Sequence, residues 1–517
     1  MALNLSRNTK VFVSSVNGVH ASGGSIVTLD GFTAGTGHAV GDVITLRTTS
    51  GSGTGAKVIV AAVSSGGVTE VYIPNNFRGT GYADDDTVTQ SATSGSGSSF
   101  AAVVNGVTST TTTENSRTAL GLFKGNGTDA NTFRIGVLDG YSFSQGSEAT
   151  DITINEAGAT PNRGSKRFND ALPPAEWSFG TYVRPYKHGT NSWRSSGTMD
   201  MCENILWAAI AGKDITGGAL TGTSASAIAV DSTDADVTFE RSEHHELLKL
   251  SIYFALENTT YRLNECQVNQ AEIDFSIDGI AQITWSGNAT TIDQVTTAIE
   301  DPSKTLHAKP AGTDTSVTTA TYVEGYNYAD STGPDDANYL RNKLSTLTLA
   351  VDSAQGGGAS SNGLDARTYD INITGGSITI ANNTTYVTPE TLGIVDKPIG
   401  SFTGARQVSG SLTMYLDTKS NGSNQLLTDL ATATDLVTNS FNMSLFMGGG
   451  SSDTPVVEFD IPKAHLQVPT IEVADLISTT VEFSAHGTDL LTGDEMTVKY
   501  KGSTSHSDSQ YATDYTV

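Results

Sequence analysis

Trp177-Ser178-Phe179-Gly180-Thr181-Tyr182-Val183 puts Trp177, Phe179 and Val183 on one phase of a two-residue period. That spacing predicts a strand with one buried face. Farther along, Ser411-Leu412-Thr413-Met414-Tyr415-Leu416 has a similar texture. A helical pattern follows each segment, over 199–212 in the first case, with Gly212 as its cap, and over 426–436 in the second. Three strand candidates then follow each helix. After the first they are 248–254, 273–275 and 283–285. After the second they are 441–446, 456–461 and 481–483.

Matching residues support the matching order. Cys266-Gln267-Val268 corresponds to Leu466-Gln467-Val468 at an offset of 200 (466 − 266). Ile283-Thr284-Trp285-Ser286 corresponds to Val481-Glu482-Phe483-Ser484 at 198 (481 − 283), and Gly287 and Gly487 follow. Strands rich in Val, Ser and Thr also align by chance. The shared order of strand, helix and three strands favours an internal duplication. Tyr369–Ile373 and Ser377–Ile380 read as a hairpin turning at Gly375-Gly376.

Composition fits a chain of many short strands. Of 517 residues 37% are hydrophobic and only 16% charged, with 54 glycines, so polar turns fill the remainder. The length predicts more than one core. The net charge of −26 argues against a protein that grips nucleic acid, because duplex affinity comes mainly from Lys and Arg. It is compatible with a surface that lets a polyanion slide past. Cys202 and Cys266 read as two buried thiols. No apolar run approaches a membrane span, and the N-terminus lacks the pattern of a secretion signal.

Residues 15–115 have a different texture, nearly free of Leu and rich in Gly, Ser, Thr and Val. They contain a repeat. Gly35-Thr36-Gly37-His38 leading to Asp42-Val43-Ile44-Thr45 matches Gly79-Thr80-Gly81-Tyr82 leading to Asp86-Thr87-Val88-Thr89, 44 residues on (79 − 35). Each copy reads as a glycine turn, a loop and a strand.

Catalytic patterns are missing. There is no Gly-x-Ser-x-Gly elbow, phosphate loop or His-Glu-x-x-His. His244-His245-Glu246 lacks partners at metal spacing and reads as solvated. Asp84-Asp85-Asp86 lacks the spaced ligands of a calcium loop and reads as a charged loop tip. Trp177, Trp207 and Trp285 lie on apolar faces and read as core. No catalytic, cofactor-binding or metal-ligating residue is assigned, and no cofactor is expected.

Two stretches resemble a known family. Arg167-Phe168-Asn169-Asp170-Ala171-Leu172-Pro173-Pro174-Ala175-Glu176, running on through Trp177 to Pro185, is similar to a segment of major tail tube proteins of long-tailed phages. The segment from Phe441 to Asp489 resembles their C-terminal half. Together the resemblance spans roughly 117–300 and 365–500.

It implies a mainly β fold of sandwich or half-barrel domains, each with one flanking helix, six of which close a ring. Two such domains in one chain imply a trimeric ring with pseudo-sixfold symmetry, stacked helically on further rings. It implies a structural virion protein, not an enzyme. Its partners would be further copies of itself, tail terminator, tail-tip or baseplate and tape-measure proteins, and a sheath where one exists. DNA would pass without specific binding, and no membrane is involved. The organisation expected is an arm or strand at 1–14, with Lys10–Ser14 a strand candidate, an inserted β module at 15–115 outside the tube, a first tube domain at 116–300, a linker or extended loop at 301–364, a second domain at 365–500 and a tail at 501–517. The arm, the loop at 213–235, the excursion at 301–340 and the tail are candidates for contacts between rings. The alternatives are another virion β-structure (capsid decoration, neck or tail-tip protein) or a carbohydrate-binding adhesin.

Overall fold

The computed structural model describes residues 9–14, 26, 28–51, 53–73, 78–105, 132–153, 165–187, 199–211, 228–239, 247, 249–256, 259–295, 323–324, 339–351, 367–388, 398, 400–432, 440–448, 455–468, 470–472, 477–489 and 493–502. The chain divides into two compact units, 19–114 and the remainder. Both are built almost wholly of strands.

The strand β1 (Thr9–Ser14) comes first. The smaller unit follows, with β2 (Leu29–Thr36), β3 (Val43–Thr48), β4 (Thr54–Ser64), β5 (Gly67–Tyr72), β6 (Thr87–Thr93) and β7 (Ser98–Val104). The larger unit resumes with β8 (Thr132–Ile135), β9 (Ser142–Ser144), β10 (Ala175–Tyr182), the helix α1 (Asn204–Ala211), β11 (Asp234–Thr238), β12 (Leu250–Leu256), β13 (Thr259–Asp274), β14 (Gln282–Ala289) and β15 (Thr291–Val295). A second set comprises β16 (Thr346–Val351), β17 (Thr368–Tyr369), β18 (Ile373–Ala381), β19 (Gln407–Tyr415), the helix α2 (Ser423–Thr432), β20 (Phe441–Gly448), β21 (Val456–Leu466), β22 (Thr470–Glu472), β23 (Ser478–Ala485) and β24 (Thr497–Lys501).

The two sets are wired alike. In the first, β10 pairs with β9 and β14, β14 with β13, β13 with β12 and β15, and β1 with β12 and β8. In the second, β19 pairs with β18 and β23, β23 with β21 and β22, β21 with β20 and β24, and β16 with β20 and β17. All these pairs are antiparallel. Even the irregularities match. The register slips by one between Leu250↔Cys266 and Ile252↔Leu263, and again between Phe441↔Ala464 and Met443↔Ile461. It slips once more between Val268↔Gly287 and Gln270↔Ser286, and in the second set between Leu466↔Phe483 and Thr470↔Thr480. A bulge re-aims a strand, so its position is a topological marker.

These markers correct two offsets. Cys266 corresponds to Ala464, an offset of 198 (464 − 266), and Gly287 to Phe483, an offset of 196 (483 − 287). Each sequence match above was therefore two residues too long. The match of Ser178 to Ser411 agrees with the register, because Trp177 faces Gly287 as Gly410 faces Phe483. The aromatic side chain has changed strands. A Cβ on Gly287 would lie 2.8 Å from the Trp177 ring, and one on Gly410 2.6 Å from the Phe483 ring. Each pair holds one large ring and one glycine, so the volume is preserved although the letters are exchanged.

Three further expectations change. Gly375-Gly376 is not a turn, because β18 runs straight through it with a bulge against β19. A Cβ on Gly376 would meet the Ser411 carbonyl at 2.1 Å, so the glycines permit close strand approach. The first helix begins at Asn204, since Met199–Met201 pair as a strand with Pro185–Lys187. The strand expected over 10–14 is present as β1, with Val11, Phe12 and Val13 fully buried. The stretch at 301–364 likewise holds a core strand, β16, with Leu349 fully buried. Trp177, Trp207 and Trp285 all lie in the core.

The smaller unit interrupts the connection between β1 and β8. The corresponding connection between β16 and β17 runs only through 352–367. The unit has its own core of Ile44, Leu46, Val58, Val60, Tyr82, Val88, Phe100 and neighbours.

Candidate functional site

Six strands of the larger unit run side by side in the order β10, β14, β13, β18, β19, β23. The link between the two sets is β13 to β18, with Gln270 opposite Ala381, Glu272 opposite Thr379 and Asp274 opposite Ser377. One phase of these strands is core, including Phe179, Trp285, Ile273, Ile380, Leu412 and Val481, all at most 1% exposed. Successive side chains alternate across a sheet, so the other phase faces away from that core.

Register places that polar phase in rows. One row reads Tyr182, Gln282, Asp274, Ser377, Ser411, Glu482. The next reads Gly180, Thr284, Glu272, Thr379, Ser409, Ser484. Glu176, Glu272, Asp274 and Glu482 are exposed. Neither row contains a Lys or Arg; farther along β13, Arg262 on the same phase is paired with Asp293 at 3.7 Å. The remaining side chains are mostly short hydroxyls and amides, some satisfied within the sheet, as in Ser377 Oγ to Ser411 Oγ at 3.3 Å and Thr413 Oγ1 to Thr480 Oγ1 at 3.2 Å. Rows of carboxylates without a cation among them repel phosphate and offer it no charged donor. Sequence reading left these residues unassigned because a slip of one residue exchanges the faces. The signal was the acidic phase of the alternation in Glu272-Ile273-Asp274-Phe275.

A second cluster joins the two sets in the core. Tyr500 on β24 donates to Glu203 Oε1 at 2.6 Å and accepts from Trp207 Nε1 at 2.8 Å. Trp207 stacks edge-on against Trp285, with ring centroids 5.0 Å apart. Asn382 Nδ2 donates to the Ile210 carbonyl at 3.0 Å, at the far end of α1. Burial drives the Glu203 carboxyl up to about 7, and the Tyr500 hydroxyl well above its ordinary value. Nothing here faces solvent, so the cluster is a joint and not a reactive centre.

Asp86 is no loop tip: it is 7% exposed and accepts from the Ala83 N–H at 2.8 Å and the Ser50 hydroxyl at 3.1 Å. His244-His245-Glu246 lies outside the described residues. Among the described residues no group of three His, Cys, Asp or Glu could hold a metal ion, and no helix is long and apolar enough to cross a membrane.

The chain is 38% identical over 383 residues to tail tube protein pb6 of Escherichia phage T5, covering 74% of each protein. It belongs to the phage tail tube proteins. No family model matches the chain. As a tail tube protein it is a structural component of the virion tail, and its mainly β architecture fits that role. The carboxylate rows are the feature of this tail tube protein on which a functional reading can be tested.

Proposed function

We propose that three copies of this chain close a ring, that rings stack into a tube, and that the acidic sheet face lines its bore. One observation carries the reading: the pairing of β13 with β18 inside the chain. The two sets are equivalent, so the same pairing is available again between chains. Among the described residues β9 pairs only with β10, and β22 only with β23. The edge β22 corresponds to the end of β13, and β9 to β18. Transferring the register puts Glu472 opposite Ser142 of the next chain, Ile471 opposite Phe143 and Thr470 opposite Ser144. Unpaired edges invite such addition, and ring closure removes them.

Asp274 faces Gln282, and its counterpart Glu472 faces Ser478. Acidic residues would thus recur six times around one level of the ring. Eight strands per chain, three times over, at a spacing of ~4.8 Å give a bore on the order of 37 Å across at the backbone before strand tilt. That leaves room for side chains and a duplex. The role is mechanical and needs no catalytic group or cofactor. Assembly would bring the tube into contact with terminator, tail-tip and tape-measure proteins. The chain would carry two tube domains, with 19–114 as a module inserted into the first.

Cysteines at Ser142 and Glu472 test the ring. Under oxidation the double variant should give covalent trimers in tubes and no intrachain bond. Crosslinked hexamers, or no crosslink in well-formed tubes, would overturn the reading.

A further inference from the structure

The smaller unit has a symmetry that its strand order exposes. Its sheet runs β2, β7, β6, β3, β4, β5. The 44-residue repeat maps β3 (Val43–Thr48) onto β6 (Thr87–Thr93) and β4 (Thr54–Ser64) onto β7 (Ser98–Val104). It maps the end of β2 onto the short strand Arg78–Thr80, which also pairs with β4, so the order is a palindrome about the β3–β6 pair. On that axis Leu46 lies opposite Gln90, its own counterpart (90 − 46 = 44).

The hydrogen bonds repeat to within 0.1 Å. Ala39 N donates to Asp42 Oδ2 at 2.9 Å, and Ala83 N to Asp86 Oδ2 at 2.8 Å. Val60 N reaches the Asp42 carbonyl and Val104 N the Asp86 carbonyl, both at 2.9 Å. Backbone conformation repeats as well. Left-handed φ occurs in the pairs Gly35 and Gly79 (66° and 64°), Gly37 and Gly81 (74° and 81°), Gly41 and Asp85 (92° and 67°), and Gly55 and Ser99 (80° and 64°).

The halves also exchange contacts. Val43 N donates to Ser94 Oγ, and Thr87 N to Ser50 Oγ, each at 2.8 Å and each into the other half. His38 sits against Gly97, and Tyr82 against Gly53: a Cβ on either glycine would approach the ring within 2.5 Å. Asp42 sits against Gly95 and Asp86 against Gly51 in the same way. The first strand of each half pairs with the last strand of the other: Ala34 and Thr36 on β2 face Phe100 and Ser98 on β7, and Arg78 and Thr80 face Ala56 and Thr54 on β4, at the same offset of 44 throughout (78 − 34, 100 − 56).

We propose that each half of this module is a docking surface whose partner is a second copy of itself. The interface is isologous, with the same groups given and received on both sides. Within one chain the halves dock on each other. Between two chains the same contacts can form by trading halves, so a second copy of this chain is the partner the surface fits. The inference does not depend on how the tube domains assemble.

The full chain lacking residues 63–106 tests it, with Leu46→Cys added. Residue 46 then meets its own copy on the axis, where opposed Cβ atoms lie within disulfide reach. The expected result is a disulfide between chains, absent when Leu46→Cys is placed in the intact protein, where Gln90 fills that position. Shortened chains with no such disulfide, or with a retained half that protease removes, would overturn the proposal. A second variant covers simple misfolding. In the intact chain His38→Tyr with Tyr82→His exchanges the two seated rings, and protease half-life should stay within about twofold of the parent, since volume-conserving swaps are tolerated best. A tenfold loss or more, roughly the scale of a mispacked core, would contradict equivalent seats.

Discussion

The helices α1 and α2 occupy the same place in two equally wired sets of strands, yet their surroundings differ. All eight residues of α1 are buried. Residues of the second set close over it, Tyr500 at its start and Asn382 at its end. On α2, Leu426 and Leu430 are buried, whereas Asn424 and Thr428 are exposed. It is anchored on one side, through Asp429 to Tyr369 at 2.8 Å and to Arg367 at 3.3 Å. The first helix is sealed by the second set of its own chain. The corresponding seal for the second helix would come from the next chain of the ring. In the proposed ring, one polypeptide would thus contain one finished junction and the two halves of another.

Breaking the finished junction should have the largest effect. Trp207→Ala removes the stack on Trp285 and leaves Tyr500 without its donor. It should cost about 3–5 kcal/mol in urea unfolding of the dissociated subunit. Leu430→Ala on the half-sealed helix should sit at the low end of about 2–5 kcal/mol. An equal loss at both would mean that the helices are not sealed differently.

Glu203 sharpens the same contrast through pH. Burial raises its carboxyl from 4.5 to about 7, so the folded state keeps a proton that the unfolded chain releases. Its stabilising contribution is complete below about 4.5 and is lost as pH rises to about 7. The change is on the order of 3 kcal/mol, at about 1.4 kcal/mol per pH unit. Glu203→Gln should flatten the dependence of stability on pH across that window, which a series of urea titrations would read.

The exchanged aromatic pair predicts a smaller and symmetrical effect. Gly287→Ala and Gly410→Ala each drive a methyl group toward a ring and a backbone carbonyl, Gln267 O at 2.0 Å or Ser377 O at 2.1 Å. Each should cost about 1–3 kcal/mol, and the two losses should agree closely. A large inequality would show that the pairs are not equivalent.

The smallest effect on stability belongs to the acidic face. Glu272→Gln and Asp274→Asn should change unfolding free energy by less than about 0.5 kcal/mol. Glu272→Lys with Asp274→Lys should slow DNA release from assembled virions at low salt, with recovery as salt screens the attraction. Unchanged release would remove this face from the bore.

The pattern of legible and hidden features follows from physics. Alternation in Trp177–Val183 and in Ser411–Leu416 reveals strands because one phase must be apolar. Element order survives duplication because topology does. Register is less visible: bulges between Leu263 and Cys266 and between Ile461 and Ala464 insert residues without a sequence mark, and the Trp177–Gly287 pair reappears as Gly410–Phe483. An alignment of letters therefore slips by two where an alignment of volumes does not. The face carrying Glu272 and Asp274 stayed hidden for the same reason. Gly375-Gly376 misled because glycine serves both turns and close strand approach, and only the Ser411 carbonyl at 2.1 Å distinguishes them.

Counting chains per ring is the most direct test of the whole account. Native mass measurement of single rings released from tubes should find three full-length chains, because in the proposed ring each chain would supply two of six equivalent positions. Six chains per ring would contradict the claim that the second set of strands repeats the first in function as well as in pairing.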